Sequence, residues 1–241
     1  MSAEDVAAED AARAALVAAC RHLAARGLSP GGSGNLSVRV GDHLLVTPTG
    51  SSLSRVRPEE LARVPVAPVA ATAAAGTAAA GRSAPTEPTE PTEPPGPRPS
   101  KELPLHRAVY AARPDATAVV HLHSPAAVAA SCLEPAAQPR ETATGPLPAT
   151  TPYQVMRLGD LPVAPFALPG TTELADGVAA LAGRAPALLL ANHGSVVAGA
   201  RLDAAVDLAE ELEAAAQVVL LLHGVPHRRL TAAQVAALRA R

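Results

Sequence analysis

The chain has 241 residues, enough for one domain with a sizeable core, and its formal net charge is −2 at pH 7. This balance excludes a strongly basic surface and an acidic tail, so we expect no nucleic acid among its partners. Hydrophobic residues make up 48% of the chain but aromatic residues only 1%, which predicts a core of Ala, Val and Leu.

Signals for export or membrane insertion do not stand out. Residues 1–12 are acidic, and no uncharged apolar run reaches the roughly 18 residues that a membrane span needs. We therefore expect a cytoplasmic protein with no membrane among its partners. The two cysteines, Cys20 and Cys132, are too few for a disulfide framework, and we expect both to be buried as small apolar residues.

The first part of the chain predicts a helix followed by a β-hairpin. Residues 5–26 carry apolar side chains at helical spacing, and Gly27 supplies a stop. Alternating apolar residues over 35–40 and a second apolar run over 43–47 predict two strands, joined by a Gly-Asp turn. Residues 58–61 begin with proline, which is typical of a short helical turn.

A segment of different composition follows, from 66 to 99. Alanine mixed with Gly and Pro gives way to three Thr-Glu-Pro units over 86–94. Prolines at every third position exclude helix and sheet pairing and favour polyproline II or disorder. We predict a flexible Ala/Pro-rich insertion here. The alternative, an alanine helix over 67–80, is disfavoured by the Pro and Gly residues that interrupt it.

Ordered patterning resumes at residue 100, and strands and helices intermix from there. The predicted helices cover 101–113, 126–133, 173–182 and 203–222, and the predicted strands cover 117–123, 161–166 and 187–191. We predict an α/β fold in which helices cover a sheet, with the whole chain, 1–241, as a single domain.

Two histidines stand two residues apart in one predicted strand. Because the side-chain period of a strand is two, His121 and His123 leave the same face. Two neutral imidazoles on one face begin a divalent-metal site, although a hydrogen-bonded pair of strand histidines is the alternative. His193 ends another apolar run, where Gly194 lets the chain turn sharply.

Small-residue turns flank the predicted hairpin on both sides. Residues 31–35 and 47–51 are rich in Gly, Ser and Thr, so their backbone N–H groups and hydroxyls could surround a phosphate. Ser100 is a plausible N-cap for the helix that follows it. The free N–H groups of that helix start also favour an anion.

These segments resemble the class II aldolase/adducin family of sugar-phosphate enzymes over nearly the whole chain, excepting the insertion. They occur in this order: Gly34-Asn35-Leu36-Ser37, Thr47-Pro48-Thr49-Gly50, Pro99-Ser100-Lys101-Glu102, Val120-His121-Leu122-His123-Ser124 and Asn192-His193-Gly194. The resemblance implies a three-layer α/β/α fold with a central, mostly antiparallel sheet. It also implies a homotetramer with sites between subunits.

Within the family, the chain is most similar to the 3-oxo-tetronate 4-phosphate decarboxylases, on the residues 99–102, 121–133, 151–157 and 190–194. This branch implies a metal-dependent lyase that converts 3-oxo-tetronate 4-phosphate into dihydroxyacetone phosphate and CO2 through a metal-stabilised enediolate. The alternatives are a fuculose- or rhamnulose-type phosphate aldolase, a pentose-phosphate 4-epimerase, and a non-catalytic adducin-like module. A phosphorylated sugar acid or ketose is the expected substrate.

The resemblance also implies roles for individual residues. The metal ligands would be His121, His123 and His193, with Glu102 as the acid/base that can also reach the metal. Zinc is the expected ion, with Mn²⁺, Co²⁺ or Fe²⁺ as alternatives. Tyr153 would donate a proton across a subunit interface, or else pack at the rim. The phosphate would be held by Gly34, Asn35, Thr49, Gly50 and Ser100, with added charge from Lys101 unless that lysine is simply solvated.

The remaining histidines and a run of acidic residues are predicted to lie outside the site. His22, His43, His106, His223 and His227 are expected at the surface or in helix packing. Glu210, Glu211 and Glu213 are expected on a solvated or intersubunit face of the last long helix.

Overall fold

The computed structural model describes residues 2–66, 96–133, 143–144 and 146–240. Most of the predicted insertion, residues 67–95, lies outside the described residues, so its flexibility stays a prediction. That the whole chain forms a single domain likewise stays a prediction. None of the described helices is long and apolar enough to cross a membrane.

The described residues contain helices and strands in alternation. The helices are α1 (Ala3–Ala25), α2 (Leu103–Ala112), α3 (Pro125–Ser131), α4 (Pro152–Leu158), α5 (Thr172–Ala182), α6 (Leu202–Leu221) and α7 (Ala232–Arg239). The strands are β1 (Asn35–Val40), β2 (His43–Val46), β3 (Ala62–Pro65), β4 (Ala118–Leu122), β5 (Ala143–Thr144), β6 (Leu147–Pro148), β7 (Val163–Ala164), β8 (Ala187–Leu190) and β9 (Gly194–Gly199). A 3-10 turn spans Pro58–Glu60.

One sheet forms the centre of the molecule, in the strand order β3-β2-β1-β4-β9-β8-β7. All neighbouring pairs are antiparallel except β7 and β8, which run parallel. The register places Asn35 opposite His121 and His121 opposite Val196, so β1, β4 and β9 meet at the same level. The predicted mostly antiparallel sheet is therefore confirmed.

Helices cover both faces of this sheet, which confirms the three-layer α/β/α fold. Strand residues alternate between the two faces: Leu45 and Val120 pack with α1, α3 and α6, whereas Leu44 and Val119 pack with α2 and α5. This alternation follows from the two-residue period of a strand, and with it both faces of the sheet are apolar and buried. His121 shares its face with Val119, on the side of α2.

Most predicted elements are present, with small shifts in their ends. The hairpin is confirmed, and Gly27 ends α1 with a positive φ of 77°. Strands β3, β5, β6 and β9 and helices α4 and α7 were not predicted. Ser100 is not the N-cap of α2, because the helix begins at Leu103 and Glu102 occupies the cap; the Ser100 hydroxyl instead accepts the N–H of Glu102 at 3.2 Å.

Two further predictions need correction. Cys20 is buried as expected, but Cys132 is exposed, because α3 ends at Ser131 and Cys132 is its C-cap. Glu213 does not lie on a solvated face. Its carboxylate oxygens accept the backbone N–H groups of Ala126 and Ala127 at 2.9 and 2.8 Å, and so cap the first turn of α3.

Candidate metal and phosphate site

Three imidazoles converge where β4 and β9 pair. His121 lies in β4, His123 follows its last residue, and His193 lies in the turn between β8 and β9. The Nε2 atom of His123 is 3.0 Å from Nε2 of His121 and 3.0 Å from Nε2 of His193. The prediction that His121 and His123 share one face agrees with this geometry, and His193 joins them from the neighbouring strand pair.

A glycine makes this approach of the two strands possible. A Cβ atom on Gly194 would lie only 2.3 Å from the carbonyl oxygen of Leu122, far inside van der Waals contact. Two residues earlier, Asn192 adopts a positive φ of 56°, which tightens the turn that carries His193. The position of His193 therefore depends on the small residue that follows it.

The protonation state of the imidazoles suits metal binding. Nδ1 of His121 lies 2.8 Å from the carbonyl oxygen of Ser195. Because a carbonyl oxygen only accepts, Nδ1 donates there and Nε2 is left on the side of the other two imidazoles. Burial is the main cause that lowers the pKa of His123 to about 4, and the neighbouring His121 is the second. The same two causes lower the pKa of His193. Both side chains are therefore neutral at physiological pH, as metal ligands must be.

Glu102 completes the cluster from the start of α2. Its Oε2 atom lies 3.1 Å from Nε2 of His121, and its Oε1 atom lies 3.4 Å from Nε2 of His193. Burial raises the pKa of this carboxyl group, but the neighbouring His121 and the hydrogen bond from Asn35 outweigh burial and hold the pKa well below its usual range. Glu102 is therefore a carboxylate in this arrangement.

The four side chains fit a divalent cation. Their ligand atoms all lie within 4.8 Å of one another. Around a tetrahedral zinc ion with Zn–N bonds of about 2.0–2.1 Å, neighbouring nitrogens are separated by roughly 3.3 Å, close to the spacing here. Glu102 Oε1 is buried and accepts no hydrogen bond from any described residue, so it can serve as a ligand. Three imidazoles and one carboxylate are also a donor set that zinc accepts.

A cavity of about 220 Å³ lies beside this cluster. All six predicted phosphate-binding residues line it, together with Glu102 and His123: Gly34, Asn35, Thr49, Gly50, Ser100 and Lys101. Gly34 has a positive φ of 75°, and a Cβ atom there would lie 2.9 Å from the carbonyl oxygen of His121. The structure thus brings the predicted phosphate-binding turns and the predicted metal ligands into one place.

The Asn35 side chain is already committed within the protein. Its Nδ2 atom donates to Oε2 of Glu102 at 2.8 Å, and its Oδ1 atom lies 2.5 Å from Nε2 of His106. His106 is fully buried, and burial lowers its pKa to about 3. The Asn35 amide therefore links Glu102 to His106, and a phosphate contact from this residue stays a prediction.

His106 is the residue that the sequence reasoning missed. The sequence predicts a position outside the site for His106, as for the other single histidines. In the structure, Asn35 alone separates it from Glu102 in a series of hydrogen bonds. A signal for it was present, because Glu102 and His106 are four residues apart and share one helix face. The alternation that puts Asn35 and Ser37 on one face of β1 is the matching signal on the strand.

Tyr153 is placed apart from the cluster in this protomer. It lies on α4 with 56% of its surface exposed, and the Arg157 guanidinium stands 5.9 Å from the ring centroid. Tyr153 is not among the residues that line the cavity. Lys101 does line it and is exposed to solvent at its rim.

Comparisons with known proteins agree with this geometry. Residues 14–220 match the family model described as Class II Aldolase and Adducin N-terminal domain. The chain is 38% identical to the 3-oxo-tetronate 4-phosphate decarboxylase of Pectobacterium atrosepticum, covering 95% of this chain and 93% of that protein. It is 32% identical to an L-fuculose phosphate aldolase of Escherichia coli, over 85% and 80% of the two chains. Its fold is similar to the crystal structure of YgbL from Klebsiella pneumoniae, with a TM-score of 0.77 and 37% sequence identity. The match covers 96% of this chain and 99% of that chain.

Proposed function

Because this chain belongs to the class II aldolase and adducin family, we propose that it is a carbon–carbon lyase that decarboxylates 3-oxo-tetronate 4-phosphate to dihydroxyacetone phosphate and CO2. The observation that carries the proposal is the 38% identity to a decarboxylase of that name over 95% of the chain. The resemblance inferred from the sequence motifs is confirmed by the family match.

The substrate is a β-keto acid, and its chemistry defines what the site must do. Loss of CO2 breaks the bond between C1 and C2, and the electron pair stays on C2, in conjugation with the C3 ketone. A proton then joins C2, which gives dihydroxyacetone phosphate. A divalent cation held by His121, His123, His193 and Glu102 would act as a Lewis acid toward the negative charge that develops on the substrate oxygens.

Glu102 is suited to the proton transfer. Asn35 fixes one carboxylate oxygen through a 2.8 Å hydrogen bond, whereas Oε1 has no donor among the described residues. Decarboxylation takes up one proton from the solvent per turnover, and Oε1 would receive this proton and deliver it to C2, which is general acid–base catalysis by a positioned carboxyl group. We propose Tyr153 of a neighbouring subunit as a second proton donor at this step.

The turns around the cavity are suited to hold the phosphate. Residues 32–35 and 49–51 line one side together with Ser100, the hydroxyls of Thr49 and Ser100 would serve as donors, and Lys101 adds a positive charge at the rim. A phosphate held there would share the cavity with Glu102 and His123. The reacting carbons would then reach Glu102 while the phosphate stays in the turns.

The proposal also covers the metal, the oligomeric state and the location in the cell. Zinc is supported by the three nitrogen ligands, with Mn²⁺, Co²⁺ and Fe²⁺ as alternatives. A homotetramer with intersubunit sites is supported by the exposed position of Tyr153. A cytoplasmic enzyme would meet its phosphorylated substrate directly.

A sugar-phosphate aldolase is the second candidate, and the match to the L-fuculose phosphate aldolase favours it over an epimerase or an adducin-like scaffold. Aldol cleavage leaves the same three-carbon fragment as decarboxylation, so the same residues could serve either reaction. The leaving group alone distinguishes the two.

The test is product analysis with the metal controlled. The purified protein, stripped with a chelator and reloaded with Zn²⁺, Mn²⁺ or Co²⁺, is incubated with 3-oxo-tetronate 4-phosphate, and dihydroxyacetone phosphate and CO2 are measured. We expect both products in equal amounts, and neither from the stripped protein. Cleavage of L-fuculose 1-phosphate without CO2 release from the keto acid would establish the aldolase instead. No turnover and no stoichiometric metal would establish a scaffold.

A further inference from the structure

A series of buried hydrogen bonds runs from Glu102 away from the cavity. Asn35 Nδ2 lies 2.8 Å from Glu102 Oε2, and Asn35 Oδ1 lies 2.5 Å from His106 Nε2. His106 Nδ1 lies 2.7 Å from the hydroxyl of Ser37, which in turn lies 3.0 Å from the hydroxyl of Tyr110. All five residues are buried, so water cannot replace a missing partner cheaply.

The three bonds that run from Glu102 to Ser37 each have a forced direction. A carboxylate only accepts, so the Asn35 amide must present its NH2 group to Glu102 and its carbonyl oxygen to His106. His106 must then donate from Nε2, which leaves Nδ1 as an acceptor. The Ser37 hydroxyl must therefore donate to Nδ1.

We propose that His106 is a positioning residue for Glu102, acting through the side-chain amide of Asn35. By donating to Asn35 Oδ1, it fixes the amide in the one orientation that presents an N–H group to Glu102 Oε2. Oε1 is thereby left facing His193 and the cavity. The proposal rests on the proposed function for its kinetic test but not for its metal-binding test.

Removal of the donor would have a local consequence. Asn35 Oδ1 would be a buried acceptor without a partner, and the amide would lose the bond that sets its rotation. Glu102 would then sample other orientations, and both proton transfer and metal binding depend on its position. Partners that orient a metal ligand in this way are typically worth about 10- to 100-fold in activity or metal affinity.

Two substitutions that differ by one methylene group separate this role from simple packing. The side-chain NH2 of His106→Gln can reach the place of Nε2 and donate to Asn35. His106→Asn can only replace Nδ1, on the side of Ser37. We expect His106→Asn to lower kcat about 10- to 100-fold with a much smaller change in KM, and His106→Gln to recover most of the loss.

Metal binding gives a readout that needs no substrate. Stripped variants are titrated with Co²⁺, and the visible absorption band of the bound ion is recorded with its affinity. We expect His106→Asn to weaken Co²⁺ binding and shift the band, and His106→Gln to resemble the parent. If the parent protein binds Co²⁺ but does not decarboxylate the keto acid, the proposed function fails while this comparison still decides the role of His106.

A double-mutant cycle tests the route through Asn35. In an Asn35→Ala background, His106→Asn should cause little further loss, because the residue through which it acts is already gone. The proposal is overturned if both His106 variants match the parent in kcat and Co²⁺ spectrum. It is also overturned if both are equally impaired, or if the effects of His106→Asn and Asn35→Ala simply multiply.

Discussion

The Nε2 atoms of the three clustered histidines lie at distances that are unfavourable for imidazoles whose lone pairs face one another with no proton or cation between them. Nδ1 of His121 donates to the carbonyl oxygen of Ser195, so Nε2 is the ring nitrogen that this residue presents to the cluster. Nε2 of His123 lies 3.0 Å away from it and 3.0 Å from Nε2 of His193. A shared proton can satisfy one such pair, whereas a cation attracts all three lone pairs at once.

His123→Ala is the substitution that tests this arrangement most directly. His123 is in contact with both other imidazoles, so its removal should lower zinc affinity by at least about 100-fold and abolish lyase activity. Metal content after dialysis, measured by elemental analysis, checks the prediction.

His22→Ala is the matched control, because the His22 imidazole likewise has a polar partner, the Glu210 carboxylate at 3.0 Å, but lies on the exposed side of α1. It should retain the parent's metal content and activity. Equal metal content in His123→Ala and the parent would contradict a metal site at this cluster.

At the scale of elements, Gly194 controls how β9 meets β4. A Cβ atom there would stand 2.3 Å from the carbonyl oxygen of Leu122, and backbone atoms cannot move aside cheaply. Gly194→Ala should therefore destabilise the fold by about 1–3 kcal/mol or more and displace His193 from the cluster. Chemical unfolding and Co²⁺ titration measure the two effects.

Gly177→Ala provides the comparison for that substitution. Gly177 lies within α5, and no heavy atom lies within 4 Å of the place its Cβ would take. Alanine should stabilise this helix by about 0.5–1 kcal/mol and leave metal binding unchanged. The prediction for Gly194 fails if the two variants unfold at the same denaturant concentration.

Helix α1 is tied to the sheet by a buried carboxylate. Glu9 contacts Arg13 at 2.7 Å, Arg63 at 3.2 Å and His43 at 3.3 Å, and thereby joins α1 to β2 and β3. Burial raises the pKa of Glu9, but Arg13, Arg63 and His43 outweigh it and lower the pKa from its ordinary value of 4.5. The carboxylate is thus stabilised in the folded state.

Glu9→Gln should therefore destabilise the protein in a pH-dependent way. A group whose pKa is lowered by folding contributes stability above its unfolded pKa, and this contribution is lost as the pH falls through the folded pKa. We expect a loss of about 1.5–3 kcal/mol at pH 7, the range for hydrogen bonds to charged groups. The difference between parent and variant, measured by urea unfolding, should shrink below pH 4.5. A difference that stays constant down to pH 3 would contradict the pairing.

The sequence predicted elements best where one local pattern was sufficient. The hairpin, α6 and the histidine strand follow from periodicity and turn residues alone. Strand β9 was missed because Gly194 and Gly199 bound a short run of Ser, Val and Ala that carries little strand signal by itself. Helices α4 and α7 have seven and eight residues and carry few apolar side chains for periodicity to detect.

The sequence predicted which residues come together at the candidate site, but not the contacts behind them. Motifs on five separate segments suggested the metal and phosphate residues, and the structure brings the four predicted metal ligands together beside a cavity that the predicted phosphate turns line. The contact between His106 and Asn35 joins positions 71 residues apart. Only the pairing of β1 with β4, and the packing of α2 across them, brings these two side chains together, and no local pattern encodes that pairing.

At the scale of the whole molecule, the exposed apolar side chains favour an assembly of subunits. Two of the three aromatic residues, Tyr153 and Phe166, are 56% and 60% exposed, in a chain that uses aromatic residues sparingly. Leu168 is 63% exposed and directly precedes Pro169, which lines the cavity beside the metal cluster. Exposed apolar residues of this size favour an interface, and here one would reach the edge of the proposed active site.

If Tyr153 acts in a neighbouring subunit, two inactive variants should restore each other's activity when mixed. Glu102→Gln removes the proposed acid/base, and Tyr153→Phe removes only the hydroxyl of the proposed donor. The two variants are unfolded and refolded together. A site is then complete where a Tyr153→Phe subunit supplies Glu102 and its neighbour, a Glu102→Gln subunit, supplies Tyr153. An equal mixture in a closed ring should contain about one complete site in four, and so regain about a quarter of the parent's activity. The same variants refolded separately and then mixed on ice are the control and should stay inactive. No recovery from a mixture that sediments as an oligomer would place Tyr153 outside the reaction or within its own subunit's site.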